Sequence, residues 1–112
     1  MVFLNLENTK ILDIGCGRGP YLYFWKWFVK DADGIELSQW AINYAFCNDI
    51  QQGDITKLDL TIHYDLITCI DILEHLDDNQ LNKALENISK IGNKFIFSIP
   101  FIGDPNLLND RT

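Results

Sequence analysis

Strand-like and helix-like runs alternate along almost the whole of this 112-residue chain. The strand-like runs are short, rich in β-branched or aromatic residues, and bounded by glycine, proline or aspartate. The runs between them repeat apolar residues every three or four positions, which is typical of helices. Because alternating strands and helices form βαβ units, the sequence predicts a single α/β domain. Its sheet should be mainly parallel and covered on both faces.

Strands are predicted at residues 10–15, 33–37, 49–55, 64–72 and 94–100. Helices are predicted from Pro20 to about Lys30, from Gln39 to about Cys47, and from an N-cap at Asp77 or Asp78 to about Ile91. Ser38 should cap the second helix, and Gly92 should end the third. The apolar positions of the third helix fall on one face and are Leu81, Ala84, Leu85, Ile88 and Ile91.

Composition limits the partners that the chain can have. Hydrophobic residues make up 47% of it, which is enough for a core. The formal net charge of −7 argues against a nucleic-acid partner, because phosphate backbones bind basic surfaces. No window approaches the roughly 20 apolar residues of a membrane span, so no membrane partner is expected. Three cysteines without zinc-site spacing, and no signal-peptide pattern, predict reduced thiols in a cytoplasmic protein.

An aromatic cluster, YLYFWKWF, occupies residues 21–28. Helical spacing forms two adjacent stripes, one of Tyr21, Phe24 and Phe28 and the other of Leu22, Trp25 and Val29. Most of these side chains are expected to pack in the core. Since not all of them can face inward, an exposed pair would indicate a surface for a partner or a substrate.

The stretch ILDIGCGRGP, residues 11–20, places three glycines directly after the first strand. Gly15 permits a tight turn, Gly17 lets the backbone approach a ligand, and Gly19 opens a helix whose N-terminus favours an anionic group. Glu36 ends the second strand about 20 residues later, where an acid can bind both hydroxyls of a ribose. The alternative for the glycines is a tight turn that binds no ligand, and the alternative for Glu36 is a solvated carboxylate at a strand end.

The third glycine comes one residue earlier than in the dinucleotide-binding pattern. In its order and spacing, the set LDIGCGRG, GIELS, GDI, DILEHL and FIFSIP resembles the class I S-adenosylmethionine-dependent methyltransferases, from about residue 10 to residue 100. The resemblance implies a Rossmann-like doubly wound sheet of strand order 3-2-1-4-5, truncated before the last two strands of that family's fold. Its cofactor would be S-adenosyl-L-methionine, in one domain over residues 1–112.

The resemblance also implies roles for individual residues. Asp13, Gly15, Cys16 and Gly17 match the loop that holds the methionine part of the cofactor. Glu36 matches the ribose acid, Leu37 and Ile55 match positions that pack on adenine, and Asp54 matches an acceptor for the adenine amino group. An ordinary turn acid is the alternative for Asp54. Ile70 and Asp71 would lie beside the methionine chain, and Tyr21 would reach the pocket.

His75 is the predicted catalytic residue, because histidine can transfer protons near neutral pH. A structural hydrogen bond at the strand end is an alternative role. No metal is predicted, although Asp71, Glu74 and His75 match the spacing that some relatives use for Mg²⁺. A methyl-transfer site needs no nucleophilic triad, since the cofactor carries the reactivity.

Family domains usually continue past the fifth strand, so this chain is interpreted as a fragment rather than a minimal member. The apolar fifth strand would then be an uncovered edge that invites self-association. Three functions stay open: methyl transfer to an unidentified small molecule, sugar, lipid or protein; nucleotide binding without catalysis; and nicotinamide-dependent redox chemistry. The last is disfavoured by the early third glycine and by the GDI and EHL motifs.

Overall fold

A computed structural model describes residues 8–70 and 72–98 of the chain. Five strands and three α-helices alternate within these residues. The strands are β1 (Lys10–Ile14), β2 (Asp31–Glu36), β3 (Ile50–Gln52), β4 (Tyr64–Ile70) and β5 (Gly92–Ser98). The helices are α1 (Pro20–Trp25), α2 (Gln39–Asn43) and α3 (Asp78–Ser89), with two short 3-10 helices at Ile55–Lys57 and Leu73–His75.

The strands form one sheet in the order β3-β2-β1-β4-β5, and each neighbouring pair is parallel. The predicted doubly wound α/β fold and its 3-2-1-4-5 order are therefore confirmed. The central strand β1 brings Asp13 into register with Gly34 of β2 and with Thr68 of β4. The order reverses between β1 and β4, and ligands of open α/β sheets bind beyond the carboxyl ends of the strands at such a reversal.

Right-handed crossovers place α1 and α2 on one face of the sheet, the α1 face, and α3 on the opposite face, the α3 face. The α3 face has the larger core, whose buried members are Leu12, Ile14, Ile35, Ile55, Tyr64, Ile67, Cys69, Leu73, Ala84, Ile88 and Ile91. The smaller core of the α1 face contains Ile11, Leu22, Val29, Ala32 and Leu66. Leu85 belongs to the predicted apolar face of the third helix, but its side chain is exposed.

Two of the predicted helix starts are confirmed by their capping geometry. The Ser38 hydroxyl accepts a hydrogen bond from the Ala41 N–H, and the Asp77 carboxylate accepts one from the Gln80 N–H. The Gln80 side chain accepts in return from the Asp77 N–H, which completes a capping box. Asp77, not Asp78, is therefore the cap of α3.

Several predicted boundaries were wrong. Helix α1 ends at Trp25 because β2 begins at Asp31, two residues earlier than expected, so the chain needs residues 26–30 to turn back to the sheet. Helix α2 likewise ends at Asn43, short of Cys47. Helix α3 ends at Ser89 with Lys90 as its C-cap, so Gly92 does not end the helix and is instead the first residue of β5. The predicted end of that strand at Pro100 lies outside the described residues.

Most of the aromatic cluster lies on the surface, so the prediction that it packs mainly in the core was wrong. Leu22 and Val29 are buried and Trp25 is half-buried, but Tyr21, Tyr23, Phe24, Trp27 and Phe28 are exposed. One turn and a half of helix can direct only one narrow stripe toward the sheet, and Leu22 occupies it.

Strand β5 lies at the edge of the sheet and is exposed along most of its length. Phe95 and Phe97 stack on each other on the α3 face, and Ile96 is exposed on the other face. In the part of the chain that the structure describes, no helix is long and apolar enough to cross a bilayer.

Candidate functional site

The turn after β1 depends on two glycines in the left-handed region. Gly15 has φ 68°, and the N–H groups of Gly15 and Cys16 both donate to the Ile35 carbonyl of β2. A Cβ atom at Gly15 would collide with the Ile72 side chain, so a larger residue would force that side chain to move. Gly17 has φ 59°, and a Cβ atom there would meet nothing within 4 Å. The space beside Gly17 is thus open to a ligand.

Glu36 holds this turn from the end of β2. One carboxylate oxygen accepts the Gly17 N–H at 2.8 Å, and the other accepts the Ser38 N–H at 2.7 Å. Each carboxylate oxygen has lone pairs for two hydrogen bonds, so both can still accept a ligand hydroxyl. The position therefore suits a vicinal diol, and the same carboxylate joins the glycine turn to the start of α2.

A cavity of about 280 Å³, which we call the main cavity, opens at the carboxyl ends of β1 and β2. The structure brings six of the sequence-predicted site residues to its wall: Gly15, Glu36, Leu37, Asp54, Ile55 and His75. The other lining residues are Ile14, Ile35, Gly53, Ile72 and Leu76. Apolar side chains form most of this wall, and a flat heteroaromatic ring with a few polar atoms is the kind of ligand that such a pocket fits.

Asp54 caps the 3-10 helix Ile55–Lys57. One of its carboxylate oxygens accepts hydrogen bonds from both the N–H and the hydroxyl of Thr56, at 2.9 and 2.7 Å. These bonds lower the pKa of Asp54 below its usual range. The carboxylate thus has the local capping role that was the alternative interpretation, and it also lies at the cavity wall as an ionised acceptor.

Asp13 is buried in the centre of the sheet, with 1% of its surface exposed. One oxygen, Oδ1, accepts from the Thr68 hydroxyl at 2.8 Å, while Oδ2 has no hydrogen-bond partner among the described residues. Burial raises the pKa of Asp13 to about 6, against the opposing effect of the Thr68 hydrogen bond. A buried carboxylate oxygen without a donor is costly, and a cationic ligand group nearby would supply one.

The remaining predicted residues lie apart from the main cavity. Cys16 is buried, and burial, followed by the charges of Asp13 and Glu36, raises the pKa of its thiol to about 12, so it stays protonated. Tyr21 and Ile70 line a second, apolar cavity of about 130 Å³ on the α1 face instead. Asp71 lies outside the described residues.

His75 is exposed, lines the main cavity and lies 3.6 Å from the Glu74 carboxylate. No group of three or more metal-ligating side chains occurs among the described residues, a set that excludes Asp71 of the alternative metal triad. The histidine is therefore placed where it can meet a ligand in the cavity.

Sequence reasoning missed Thr68 and the apolar wall residues Ile72 and Leu76. The signal for Thr68 was a hydroxyl side chain within the apolar run of β4, in the strand that pairs with the Asp13 strand. The signal for Ile72 was its place directly after β4, at the same edge of the sheet as Gly15.

The model of a family described as "Methyltransferase domain" matches residues 2–103. A ubiquinone biosynthesis O-methyltransferase of Bordetella avium is 26% identical over 105 residues, which cover 84% of this chain and 44% of that protein. The chain thus spans about half the length of the curated relatives that it matches.

Solved structures of methyltransferases also superpose on this chain. An S-adenosylmethionine-dependent methyltransferase from Clostridium acetobutylicum superposes with a TM-score of 0.72 at 26% identity, over 79% of this chain and 41% of that one. The amino pentose methyltransferase CalS10 from Micromonospora echinaspora, solved with bound SAM, gives a TM-score of 0.76 at 21% identity, over 85% and 45%. From the match over residues 2–103, this chain belongs to the methyltransferase-domain family.

Proposed function

We propose that residues 1–112 form a single domain that binds S-adenosyl-L-methionine and transfers its methyl group to an acceptor. The observation that supports this most strongly is the glycine turn held by Glu36, beside a cavity that Asp54 and Ile55 also line. The matched family model and the S-adenosylmethionine-dependent relatives support the same function.

Each part of the cofactor has a proposed neighbour in this chain. Glu36 accepts from the ribose hydroxyls, Asp54 accepts from the adenine amino group, and Leu37 and Ile55 pack against the adenine ring. The methionine part lies along Asp13, Gly15, Cys16 and Gly17, where the unpartnered Asp13 Oδ2 accepts from the ammonium group. Tyr21, Ile70 and Asp71 complete the site near the methyl group.

The bound cofactor supplies an electrophilic methyl group, and the protein's task is to orient the acceptor in line with it. His75, at the mouth of the cavity, removes the acceptor's proton or positions the acceptor. Replacing His75 with Ala is therefore expected to lower kcat by 10²-fold or more while leaving the Kd for the cofactor within about twofold. A change in Kd with unchanged kcat would assign the side chain to cofactor binding.

Calorimetry with S-adenosylhomocysteine tests the cofactor site. Replacing Glu36 with Gln is expected to weaken binding by about 1–3 kcal/mol, because a buried hydrogen-bonded hydroxyl pair loses its charged acceptor. The matched control is Glu86→Gln on α3, an exposed acid outside the cavity lining, and it should bind like the wild type. Equal affinities for the two variants would contradict the ribose assignment, and tighter binding of NADH would favour redox chemistry.

A nucleotide-binding module without catalysis is the alternative function. The glycine turn, Glu36 and the cavity account for nucleotide binding alone, without an acceptor site. Binding of S-adenosylhomocysteine with no methyl transfer to a panel of small-molecule, sugar, lipid and protein acceptors would favour it. The net charge of −7 makes nucleic acids the least expected acceptors.

We also propose that the chain self-associates through β5 and is cytoplasmic. Exposed Phe95, Ile96 and Phe97 at a sheet edge support the first proposal, because an apolar edge strand offers backbone groups for pairing. Free Cys16, Cys47 and Cys69 support the second. Sedimentation of a monomer across micromolar concentrations would contradict self-association.

A further inference from the structure

Aromatic side chains are concentrated on the α1 face of the molecule. Eight of them are exposed among the described residues of α1, α2 and the turns that follow these helices. We call these eight the aromatic face: Tyr21, Tyr23, Phe24, Trp27, Phe28, Trp40, Tyr44 and Phe46. The largest exposed fractions are 72% at Trp27 and 63% at Trp40. Apart from Tyr21, which the proposed site uses near the methyl group, none of the eight has a role in the proposed cofactor site, and none lines the main cavity.

Direct contacts join the two parts of this face. The Phe46 N–H donates to the Arg18 carbonyl at 2.8 Å, and the Arg18 guanidinium donates to the Tyr44 carbonyl at 2.9 Å. The same guanidinium lies 4.6 Å from the centroid of the Phe46 ring. These contacts fix the turn before α1 against the residues that follow α2, and Tyr23, Trp27 and Cys47 line one open cavity between the two parts.

The charges of this face differ in sign from those of the rest of the chain. Segments 14–30 and 37–48 contain Arg18, Lys26 and Lys30 and no acidic residue, which gives +3. Since the whole chain carries −7, the remaining residues carry −10. Asp49 pairs with Lys26 at the border of the face, and Asp31 lies exposed next to Lys30. The other acids lie elsewhere, including Asp77, Asp78 and Glu86 in and beside α3.

We propose that the aromatic face binds the surface of an anionic phospholipid bilayer, with α1 and α2 lying against the headgroups. Tyrosine and tryptophan favour the boundary between headgroups and acyl chains, because each has an apolar ring and a polar tip. Basic side chains beside them attract anionic headgroups. With Arg18 and Lys30, this is the face that a protein of net charge −7 would turn toward such a surface.

A second copy of the chain fits this surface less well. A symmetric dimer through the aromatic face would bring Arg18 and Lys30 of both copies together, whereas a bilayer supplies the opposite charge over a wide area. The sequence expectation that excluded a membrane partner considered only a spanning segment. Binding at the surface requires none.

Vesicle flotation tests the proposal. The chain is expected to float with vesicles of phosphatidylcholine and phosphatidylglycerol in equal parts, but not with phosphatidylcholine alone, and to be released by high salt. Brominated lipid in the mixed vesicles should quench tryptophan fluorescence, because Trp27 and Trp40 would enter the interface. Absence of flotation with the mixed vesicles, or equal flotation with both kinds, would overturn the proposal.

Matched variants separate this face from general electrostatics. Lys30→Glu and Lys83→Glu change the net charge equally, but only Lys30 adjoins the aromatic face, while Lys83 is exposed on α3. Lys30→Glu is expected to weaken binding about tenfold or more, and Lys83→Glu less than about twofold. Trp27→Ser should weaken binding by a similar amount, with the exposed Leu85→Ser as its apolar control. Circular dichroism and thermal melting verify that each variant is folded.

Two outcomes would assign the surface differently. Equal losses in Lys30→Glu and Lys83→Glu would mean that the aromatic face does not contact lipid. A lipid-free dimer that Trp27→Ser dissociates would assign the face to a second copy of the chain. Either result would overturn the proposal.

Discussion

The two faces of the sheet bury their apolar side chains to different extents. On the α3 face, eleven buried residues form one continuous cluster beneath a capped helix of 12 residues. On the α1 face, five buried residues lie beneath an α1 of six residues that has no side-chain cap, and large aromatic side chains remain exposed. Hydrophobic content alone therefore does not locate the core. The long, capped α3 buries more apolar side chains against the sheet than the short, uncapped α1 does.

The largest expected effect comes from the α3 face. Ile67 is fully buried in the centre of that core, and replacing it with Ala should lower the free energy of unfolding by about 2–5 kcal/mol, because a cavity replaces packed atoms. Phe24→Ala on the α1 face should cost less than about 0.5 kcal/mol, since 53% of that side chain is exposed. Urea unfolding of both variants measures the contrast. Similar losses would mean that the α1 face is covered as well.

The buried carboxylate of Asp13 should reduce stability as it ionises. The folded state binds the Asp13 proton up to a pKa of about 6, and the unfolded state releases it near 3.8. Between these values stability should therefore fall as the pH rises. Asp13→Asn removes this dependence and should be more stable than the wild type at pH 8, by about 1–3 kcal/mol. Thermal melting from pH 4 to pH 8 measures it, and a constant difference between the proteins would contradict the buried charge.

Thr68 links the two central strands through its hydroxyl. Thr68→Val preserves the shape but leaves both Asp13 oxygens without the donor, so stability at pH 8 should fall by about 1–3 kcal/mol. Thr68→Ser keeps the hydroxyl and should lose clearly less. Under the proposed function, the Val variant should also bind S-adenosylhomocysteine more weakly than the Ser variant. Equal stability of the two variants would show that the hydrogen bond does not matter.

The smallest expected effect is at the helix start that supports the larger core. Asp77→Ala removes the capping box of α3 and should cost about 1 kcal/mol. Ser38→Ala removes the cap of the five-residue α2 and should cost no more. Chemical denaturation compares the two. A larger loss at Ser38 would mean that the α1 face depends on local helix formation more than the α3 face does.

The sequence patterns were sufficient for the element order, and the family resemblance implied the strand order and the site residues at the strand ends. The helix caps Ser38 and Asp77 are local signals that the structure confirms, whereas the helix end predicted at Gly92 was wrong. Which side chains of residues 21–28 face the core was not predictable in the same way, because it depends on where the chain must turn to reach β2. The Asp13–Thr68 hydrogen bond joins residues 55 positions apart, and only the register of β1 against β4 brings them together.

The two hydrogen bonds that Glu36 accepts from Gly17 and Ser38 come from the chain's own backbone. These intrachain bonds orient the carboxylate and restrain the glycine turn. Under the proposed function, a nucleoside would bind to groups that the chain itself holds in place, so little ordering entropy would be lost on binding. Its capture rate should then be governed by diffusion and by the width of the cavity mouth, and a slow closing phase should be missing from stopped-flow traces.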